Sequence, residues 1–581
     1  MTLIKVMYIY LSLPQALYYK FLFLLALCLG FTGGANGVAA QPLHGLDDKK
    51  VEISLLSSFL DSVPNRGSVS LDFRVRNHLS QPAQWTFSFE ITEGWNKTKT
   101  LLAERSLRVD AQTAKTVRWE IPVIPGTETR NNQSQRLTLR VSGPGAGGNE
   151  QNLLNSSGNY YGGNDTRSIV AVSSYVSISR SAWNYQTFKD AAEDNQSRIQ
   201  LVEFDSDASP SDLQAFSGVD IFLMSKDEWN TISREHPLFR TWVAAGGQIV
   251  LLGDSTTHDS QLGAGRISGI TDESEKNVVS SLEKLTTFTK QLSDDNSFKR
   301  KEWKLAEAIP EIKTSFGLLM LMVIAIAALV GPINIWLSFR RKNSLQVIWS
   351  TPLISLGVSV LIGLGIIFSD GFGGKGQRAQ WVLLLPDPGV EVTLQEQISR
   401  TGVLLQNSFS LVEGTEIYQV PSEIDRTSRR IQFEQLPNGD WTGDWFENRS
   451  IQAQVFRRSR TSRSTIKWID GSSPSILSTV DTEFNRLFVR TADGRTWIAE
   501  SVSPGETHGM RLATTDETDK LLEDLKTRER FQFSGQNLLN RKGWFYAETL
   551  DHDRYIDSLS SIRWKDRPIW FMGPLDMEER L

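Results

Sequence analysis

The sequence predicts a multidomain protein of the α/β plus all-β class: an N-terminal β-sandwich, a doubly wound parallel α/β domain, a two-helix transmembrane hairpin and a C-terminal β-rich domain. Three observations lead to this prediction. Apolar residues alternate with polar ones through residues 51–142, which is typical of half-buried strands. Short apolar strands alternate with helical patterns between residues 168 and 295, which favours a parallel sheet covered on both faces. Residues 316–339 and 347–368 carry no charge, and each run exceeds the roughly 20 residues that cross a bilayer.

These patterns divide the chain into segments. The predicted segments are a signal peptide (1–40), a β-sandwich (48–142), a Gly/Asn-rich linker (143–166), an α/β domain (167–295), a juxtamembrane segment (296–314), a first transmembrane helix (316–339), a cytoplasmic loop (340–346), a second transmembrane helix (347–368) and an exported β-rich domain (377–581).

The N-terminus has the order of a secretory signal. Lys20 precedes the apolar run 21–31, and small residues lead to a cleavage position after Ala40. An uncleaved signal anchor is the alternative. A lipoprotein is less favoured, because Leu27 precedes Cys28 where a small residue is needed.

Composition restricts the protein class. Cys28 is the single cysteine, so the mature chain would have no disulfide, which fits a bacterial envelope protein better than a secreted eukaryotic one. A formal net charge of −5 argues against a nucleic-acid-binding protein, which usually carries a basic face. We therefore expect no nucleic-acid partner.

The two N-terminal domains follow from strand patterns. The sandwich has short alternating strands, such as 69–75 and 85–91, and is similar to an immunoglobulin-like module, with its aromatic residues expected in the core. In the α/β domain, the apolar strands 219–224 and 248–252 flank a helical segment, 226–245. Ligands bind beyond the carboxyl ends of such strands, so the loops there are candidate sites.

Residues 216–229 (FSGVDIFLMSKDEW) and 238–254 (LFRTWVAAGGQIVLLGD) resemble the class I glutamine amidotransferase-like fold. Together with the Gly331-Pro332-Ile333-Asn334 segment, the arrangement is similar to a group of largely uncharacterised bacterial membrane proteins with an extracytoplasmic domain of this kind. Active amidotransferases use a cysteine at a G-x-C-x-G elbow and a downstream histidine. This sequence has no cysteine outside Cys28, so the resemblance implies a catalytically inactive domain.

One loop could still carry chemistry. Ser255 follows the strand 248–252, with His258 as a candidate base and Asp254 as an orienting carboxylate. Against a serine hydrolase, Thr257 breaks the G-x-S-x-G pattern, and His258 is too near Ser255 in sequence for a usual triad. A non-catalytic ligand pocket and side-chain capping of a following helix are the alternatives.

No metal or cofactor is predicted. The histidines are scattered and have no partner at metal-ligand spacing, although His258 with Asp254 and Asp259 could hold an ion. The glycine-rich segment 371–376 follows a predicted transmembrane helix rather than a strand, so it indicates a linker and not a phosphate-binding loop.

The predicted hairpin fixes the expected topology. Arg340, Arg341 and Lys342 lie in the short loop between the two apolar runs, and basic loops stay in the cytoplasm. We therefore expect a two-pass protein of the bacterial inner (cell) membrane, with both large regions extracytoplasmic. Pro332 and Asn334 could shape helix packing or mark a transport path.

The C-terminal domain contains one basic cluster. Arg457, Arg458, Arg460 and Arg463 could form a solvated strand edge, or could face anionic lipid or cell-wall polymer. A hairpin is predicted across Asp493-Gly494, which favours a type I′ turn.

Three functional hypotheses remain. The first is a non-enzymatic, membrane-anchored envelope protein that acts as a scaffold or ligand sensor. The second is an exported serine hydrolase that uses Ser255 and His258. The third is an accessory subunit of a membrane transporter. The expected partners are the lipid bilayer and other envelope or membrane proteins.

Overall fold

The structure is a computed structural model. It describes residues 41–43, 47, 49–64, 67–93, 98–123, 135–155, 168–173, 188, 199–205, 212–252, 260–270, 275–285, 287, 305, 320, 324–340, 346–412, 414–420, 433–436, 439–471, 473–526, 538 and 541–577.

The N-terminal region is a sandwich of two facing sheets. Alternation places one side of each strand in the core, so Phe73 on one sheet contacts Phe87 and Phe89 on the other, with ring centroids 6.1 and 6.0 Å apart. Part of the predicted linker forms the last strand, Ala146–Asn155. The strands are β1 (Gln41–Pro42), β2 (Val51–Ser58), β3 (Gly67–Asn77), β4 (Ala83–Glu93), β5 (Thr98–Val109), β6 (Ala114–Val123), β7 (Gln135–Gly143) and β8 (Ala146–Asn155).

The next region holds a mainly parallel sheet in the order β10-β9-β11-β12-β14-β13, with β13 antiparallel. Neighbouring residues of its central strands enter two different apolar clusters, one on each face. Its elements are β9 (Ser168–Ser173), β10 (Ile199–Phe204), a 3₁₀ turn (Leu213–Gly218), β11 (Ile221–Ser225), α1 (Lys226–Glu235), α2 (Pro237–Ala244), β12 (Gln248–Leu252), β13 (Ser260–Leu262), β14 (Gly265–Ile270) and α3 (Glu275–Lys284).

Two helices then connect this region to the C-terminal one: α4 (Asn334–Arg340) and α5 (Gln346–Asp370). They are tied by Asn334, whose amide donates to Thr351 Oγ1 over 2.9 Å and accepts from Ser350 Oγ over 2.8 Å. Trp349 and Leu353 on α5 are 82% and 71% exposed, so apolar side chains of this pair lie on its surface rather than in a core.

The predicted transmembrane hairpin is wrong. Before α4, the first apolar run forms a π-helical turn at Leu329–Ile333 that contains Pro332, which has no N–H to donate to the preceding turn. In the described part of the chain, no helix combines the length and the apolar composition that a membrane crossing requires. The prediction of a two-pass inner-membrane protein, and the topology derived from it, is therefore also wrong.

The C-terminal region is built from strands. Its main sheet has ten strands, with the order β18-β21-β16-β15-β30-β28-β24-β25-β27 and β29 beside β15. Its elements are β15 (Gly374–Leu385), β16 (Val390–Thr401), β17 (Phe409–Ser410), β18 (Thr415–Val420), β19 (Phe433–Gln435), β20 (Asp440–Gly443), β21 (Ile451–Thr461), β22 (Ile466–Ile469), β23 (Ser475–Ser478), β24 (Phe484–Arg490), β25 (Thr496–Val502), β26 (Thr507–Gly509), β27 (Arg511–Leu512), α6 (Thr515–Lys526), β28 (Trp544–Thr549), a 3₁₀ turn (His552–Arg554), β29 (Ile562–Asp566), β30 (Ile569–Pro574) and β31 (Asp576–Met577).

The predicted fold class needs correction as a whole. Among the described residues, strands predominate, with 53% strand and 20% helix. Moreover, the strands of the two ends of the chain are not separate: one seven-stranded sheet has the order β17-β20-β19-β5-β4-β7-β8. The C-terminal region thus completes a sheet of the N-terminal sandwich.

Candidate functional site

The predicted catalytic loop lies outside the described residues. Ser255, His258 and Asp254 belong to it, whereas the strands on either side, β12 and β13, are described. The predicted signal peptide with Cys28 also lies outside them. Among the described residues, no group of three histidine, aspartate, glutamate or cysteine side chains could hold a metal ion.

A buried polar face on the main C-terminal sheet is the site that the structure does present. Strand β16 lies inside the sheet, and alternate residues such as Val392 and Leu394 enter an apolar cluster on one side. Its other side is polar, although almost every residue is buried there. This polar face of β16 consists of Glu391, Thr393, Gln395, Gln397 and Ser399, each at most 2% exposed.

Glutamines on this face hold two loops against the sheet. Gln395 exchanges two hydrogen bonds with the backbone of Ile556, at 2.8 and 2.7 Å. Gln397 donates to Gln454 Oε1 over 3.0 Å, and Gln454 in turn donates to the carbonyl of Trp445 over 2.7 Å. Because these amides are bonded to protein groups, they position the loops around residues 445 and 556.

The arginines predicted as one cluster divide between the two faces of β21. Arg457 points away from the polar face, where its Nε donates to Glu416 over 2.8 Å and its guanidinium lies 5.9 Å from the centre of the Tyr418 ring. Burial lowers the pKa of Arg457, but the charges of Glu416 and Tyr418 and the hydrogen bond to Glu416 together outweigh it and raise the pKa overall. Arg457 therefore belongs to a buried ion pair and not to a solvated strand edge.

Arg460 lies on the polar face and forms a bidentate pair with Glu391. Its Nε and Nη2 donate to the two carboxylate oxygens, both over 2.9 Å. Arg554 also approaches Glu391, at 3.9 Å, but its closer partner is the carboxylate of Asp481. Each of these two guanidinium groups thus has a carboxylate of its own.

Arg458 lies on the same polar face, but among the described residues it has no carboxylate hydrogen-bonded to it. It is opposite Thr393 of β16 on one side and opposite Thr415 of β18 on the other. Its Nε is buried and has no hydrogen-bond partner in the described structure, and the same is true of Thr415 Oγ1. Burial lowers the pKa of Arg458, and the positive charge of Arg460 lowers it further, although Glu391 acts in the opposite direction.

Sequence reasoning missed these pairings because the partners are distant along the chain. The alternation of a strand does separate Arg457 from Arg458 and Arg460. However, nothing local to residues 457–460 identifies Glu391 or Glu416 as partners.

A second polar site lies where the sandwich meets the 3₁₀ turn at Leu213–Gly218. Ser68 Oγ donates to the carbonyl of Gln214 over 2.6 Å across this junction. Nearby, burial raises the pKa of Glu120 to about 7; a hydrogen bond from Ser70 lowers it in part, and the charge of Asp212 raises it further. Glu120 therefore titrates near neutral pH inside an interface.

Comparison with protein-family models and with curated proteins gives no match. Solved structures give low-scoring likenesses. The yeast delta-COP-I mu-homology domain is 8% identical, with 35% of this chain and 96% of that chain covered and a TM-score of 0.17. The beta-D-mannosidase from Dictyoglomus thermophilum is 9% identical, with coverages of 81% and 76% and a TM-score of 0.14. A cycloisomaltooligosaccharide glucanotransferase from a Paenibacillus species is 11% identical, with coverages of 34% and 27% and a TM-score of 0.16. Scores of this size carry no argument about fold or function.

Proposed function

We propose that this protein is a non-enzymatic scaffold or ligand sensor, in which a catalytically inactive amidotransferase-like domain is held between two β regions. The observation that supports this proposal most directly is the seven-stranded sheet to which both ends of the chain contribute. A scaffold must present its surfaces in a fixed arrangement, and a shared sheet restricts the relative motion that is usual between domains.

The contacts at this shared sheet are polar and apolar. Gln435 of β19 lies beside Ala103 of β5, and Arg105 Nη2 donates to Gln435 Oε1 over 2.6 Å. Trp441 and Phe456 of the C-terminal region belong to the same apolar cluster as the core of the sandwich. This burial of apolar surface favours a stable union of the two ends.

The central α/β region is attached on both sides. Phe59, which follows β2 of the sandwich, is 1% exposed, and its ring centroid lies 5.3 Å from that of Phe216. On the opposite side, Arg541 donates to the carbonyl of Gly263 over 2.7 Å. These contacts are consistent with a scaffold in which the α/β region joins the sandwich to the C-terminal region.

Labelling of the full chain with a fluorophosphonate probe tests whether the protein is non-enzymatic. We expect no label at Ser255 and no ester hydrolysis that depends on it. Ser255→Ala is the diagnostic variant, and Ser260→Ala, at the start of β13, is the matched control. Labelling and turnover that Ser255→Ala removes and Ser260→Ala retains would overturn the proposal in favour of the hydrolase.

Cross-linking of the full chain in its native cells tests the scaffold role itself. We expect one defined partner, in fixed stoichiometry, cross-linked to both the sandwich and the C-terminal region. The double variant Arg105→Ala and Gln435→Ala removes the polar contact at the shared sheet and should reduce the simultaneous cross-links to both regions. A chain that cross-links to no partner at all would contradict the proposal.

A further inference from the structure

The polar face around Arg458 has an unmatched positive charge. Arg460 uses both oxygens of Glu391, and Arg554 contacts Asp481 and lies 3.7 Å from Asp551. No hydrogen bond or ion pair of Arg458 is found among the described residues, and its Nε is shielded from solvent. The buried Nε has lost water without gaining an acceptor, which is costly, and the rest of the guanidinium carries a positive charge that an anion would neutralise.

A second observation at the same place points to a ligand. Thr415 is directly opposite Arg458 in the antiparallel β18–β21 ladder, so both side chains leave the same face of the sheet. Directly opposite residues have Cβ atoms about 4.5–5.5 Å apart, within reach of one small group. Thr415 is only 3% exposed, yet its hydroxyl has no hydrogen-bond partner in the described structure.

The two unsatisfied groups have complementary chemistry toward one class of ligand. Arginine presents N–H donors in a planar fork that matches the oxygens of a phosphate, sulfate or carboxylate. A threonine hydroxyl can donate one further hydrogen bond to the same group. Arg458 is only partly buried, so the outer part of its side chain is open to a ligand from solvent.

We propose that Arg458 and Thr415 form a binding site for a single oxyanion group at the edge of the polar face of β16, β18 and β21. Arg458 supplies the charge and the bidentate contact, and Thr415 donates its hydroxyl. Arg460 adds positive potential while it remains paired with Glu391. This inference goes beyond the proposed scaffold role and does not depend on it.

Isothermal titration of the full chain with inorganic phosphate, sulfate and acetate, at constant ionic strength and with chloride as the reference anion, tests the site. We expect saturable binding of at least one of the three. A preference for phosphate and sulfate would identify a tetrahedral group, and a preference for acetate a carboxylate. Absence of binding by all three at millimolar concentrations would overturn the proposal.

Three variants assign the binding to these residues. Arg458→Gln should weaken binding at least about tenfold, because it removes a charge-assisted pair. Thr415→Val keeps the shape of a buried side chain and should weaken binding by about threefold or more. Arg463→Gln removes an exposed arginine of the same segment and should leave binding unchanged.

Loss of binding in Arg458→Gln could also result from misfolding. If that variant fails to fold, the test uses Thr415→Val and Arg458→Lys; the lysine keeps the charge but lacks the planar guanidinium that binds an oxyanion through two N–H groups. Equal binding by the wild type and both of these folded variants would overturn the assignment. Loss of binding in Arg463→Gln alone would place the anion elsewhere and would also refute it.

Discussion

Asp566 should be essential to the stability of the C-terminal region, because it neutralises a buried arginine. Arg378 on β15 donates to Asp566 on β29 through Nε over 2.7 Å and through Nη2 over 2.9 Å. The two side chains are 8% and 15% exposed. Tyr555 and Trp564 also lie close to the guanidinium, with their ring centres at 4.6 and 5.7 Å.

The Asp566→Ala change would leave this guanidinium without its main partner. Breaking a buried ion pair by removing one member typically costs 3–5 kcal/mol. Asp557 lies 3.3 Å from the same arginine but is 92% exposed, so it can compensate only in part. We therefore expect the free energy of unfolding to fall by about 3 kcal/mol.

Urea denaturation followed by tryptophan fluorescence measures this loss, and Trp564 is a reporter beside the pair. Asp557→Ala is the matched control: it removes the other carboxylate of the same arginine and should cost about 1 kcal/mol or less. Combining Asp566→Ala with Arg378→Met should recover most of the loss, because no buried charge remains. Equal losses from the two aspartate variants would refute the reasoning.

Three further predictions rest on other described contacts. Burial raises the pKa of Glu120 from 4.5 to about 7, so between these pH values the folded protein retains a proton that the unfolded chain releases. The free energy of unfolding should therefore fall by about 3 kcal/mol as pH rises from about 4.5 to 7, and denaturation at several pH values should show that Glu120→Gln removes this dependence. Asn334→Ala removes both side-chain hydrogen bonds between α4 and α5 and should lower the free energy that holds the two helices together by about 2 kcal/mol. Hydrogen exchange should then show faster amide exchange in those two helices only, and unchanged exchange would contradict the prediction. Gly265→Ala would place a Cβ against the carbonyl oxygen of Val243 and should prevent folding. Gly357→Ala lies in open space on α5 and should raise the free energy of unfolding by about 0.5–1 kcal/mol. Soluble expression and thermal unfolding of the two variants test this contrast.

Local patterns in the sequence located many individual strands. The predicted strand 248–252 is observed as β12, and 219–224 is observed as β11 at Ile221–Ser225. The hairpin at Asp493-Gly494 joins β24 to β25, but its turn is not the predicted type I′, because Gly494 has a positive φ of 88° and Asp493 does not. These features depend on a few neighbouring residues, which is why they can be read from the sequence.

Features that depend on distant residues could not be predicted. The contact of Arg105 with Gln435 spans 330 residues, and the pairing of Arg460 with Glu391 spans 69. The error at residues 316–368 has a related cause. Hydropathy counts apolar side chains and does not report backbone geometry, such as the π-helical turn at Leu329–Ile333 that contains Pro332.

The shared sheet also affects how the chain folds during synthesis. Arg105 of β5 is translated 330 residues before Gln435, the residue of β19 that it contacts. Since synthesis proceeds at about 5–20 residues per second, the edge of β5 would remain unpaired for roughly 15 to 70 s. Unpaired edges promote aggregation, and charged side chains discourage it. Strand β5 carries Lys99, Glu104, Arg105 and Arg108, which would keep the nascent sandwich from pairing with other chains until its own C-terminal strand arrives.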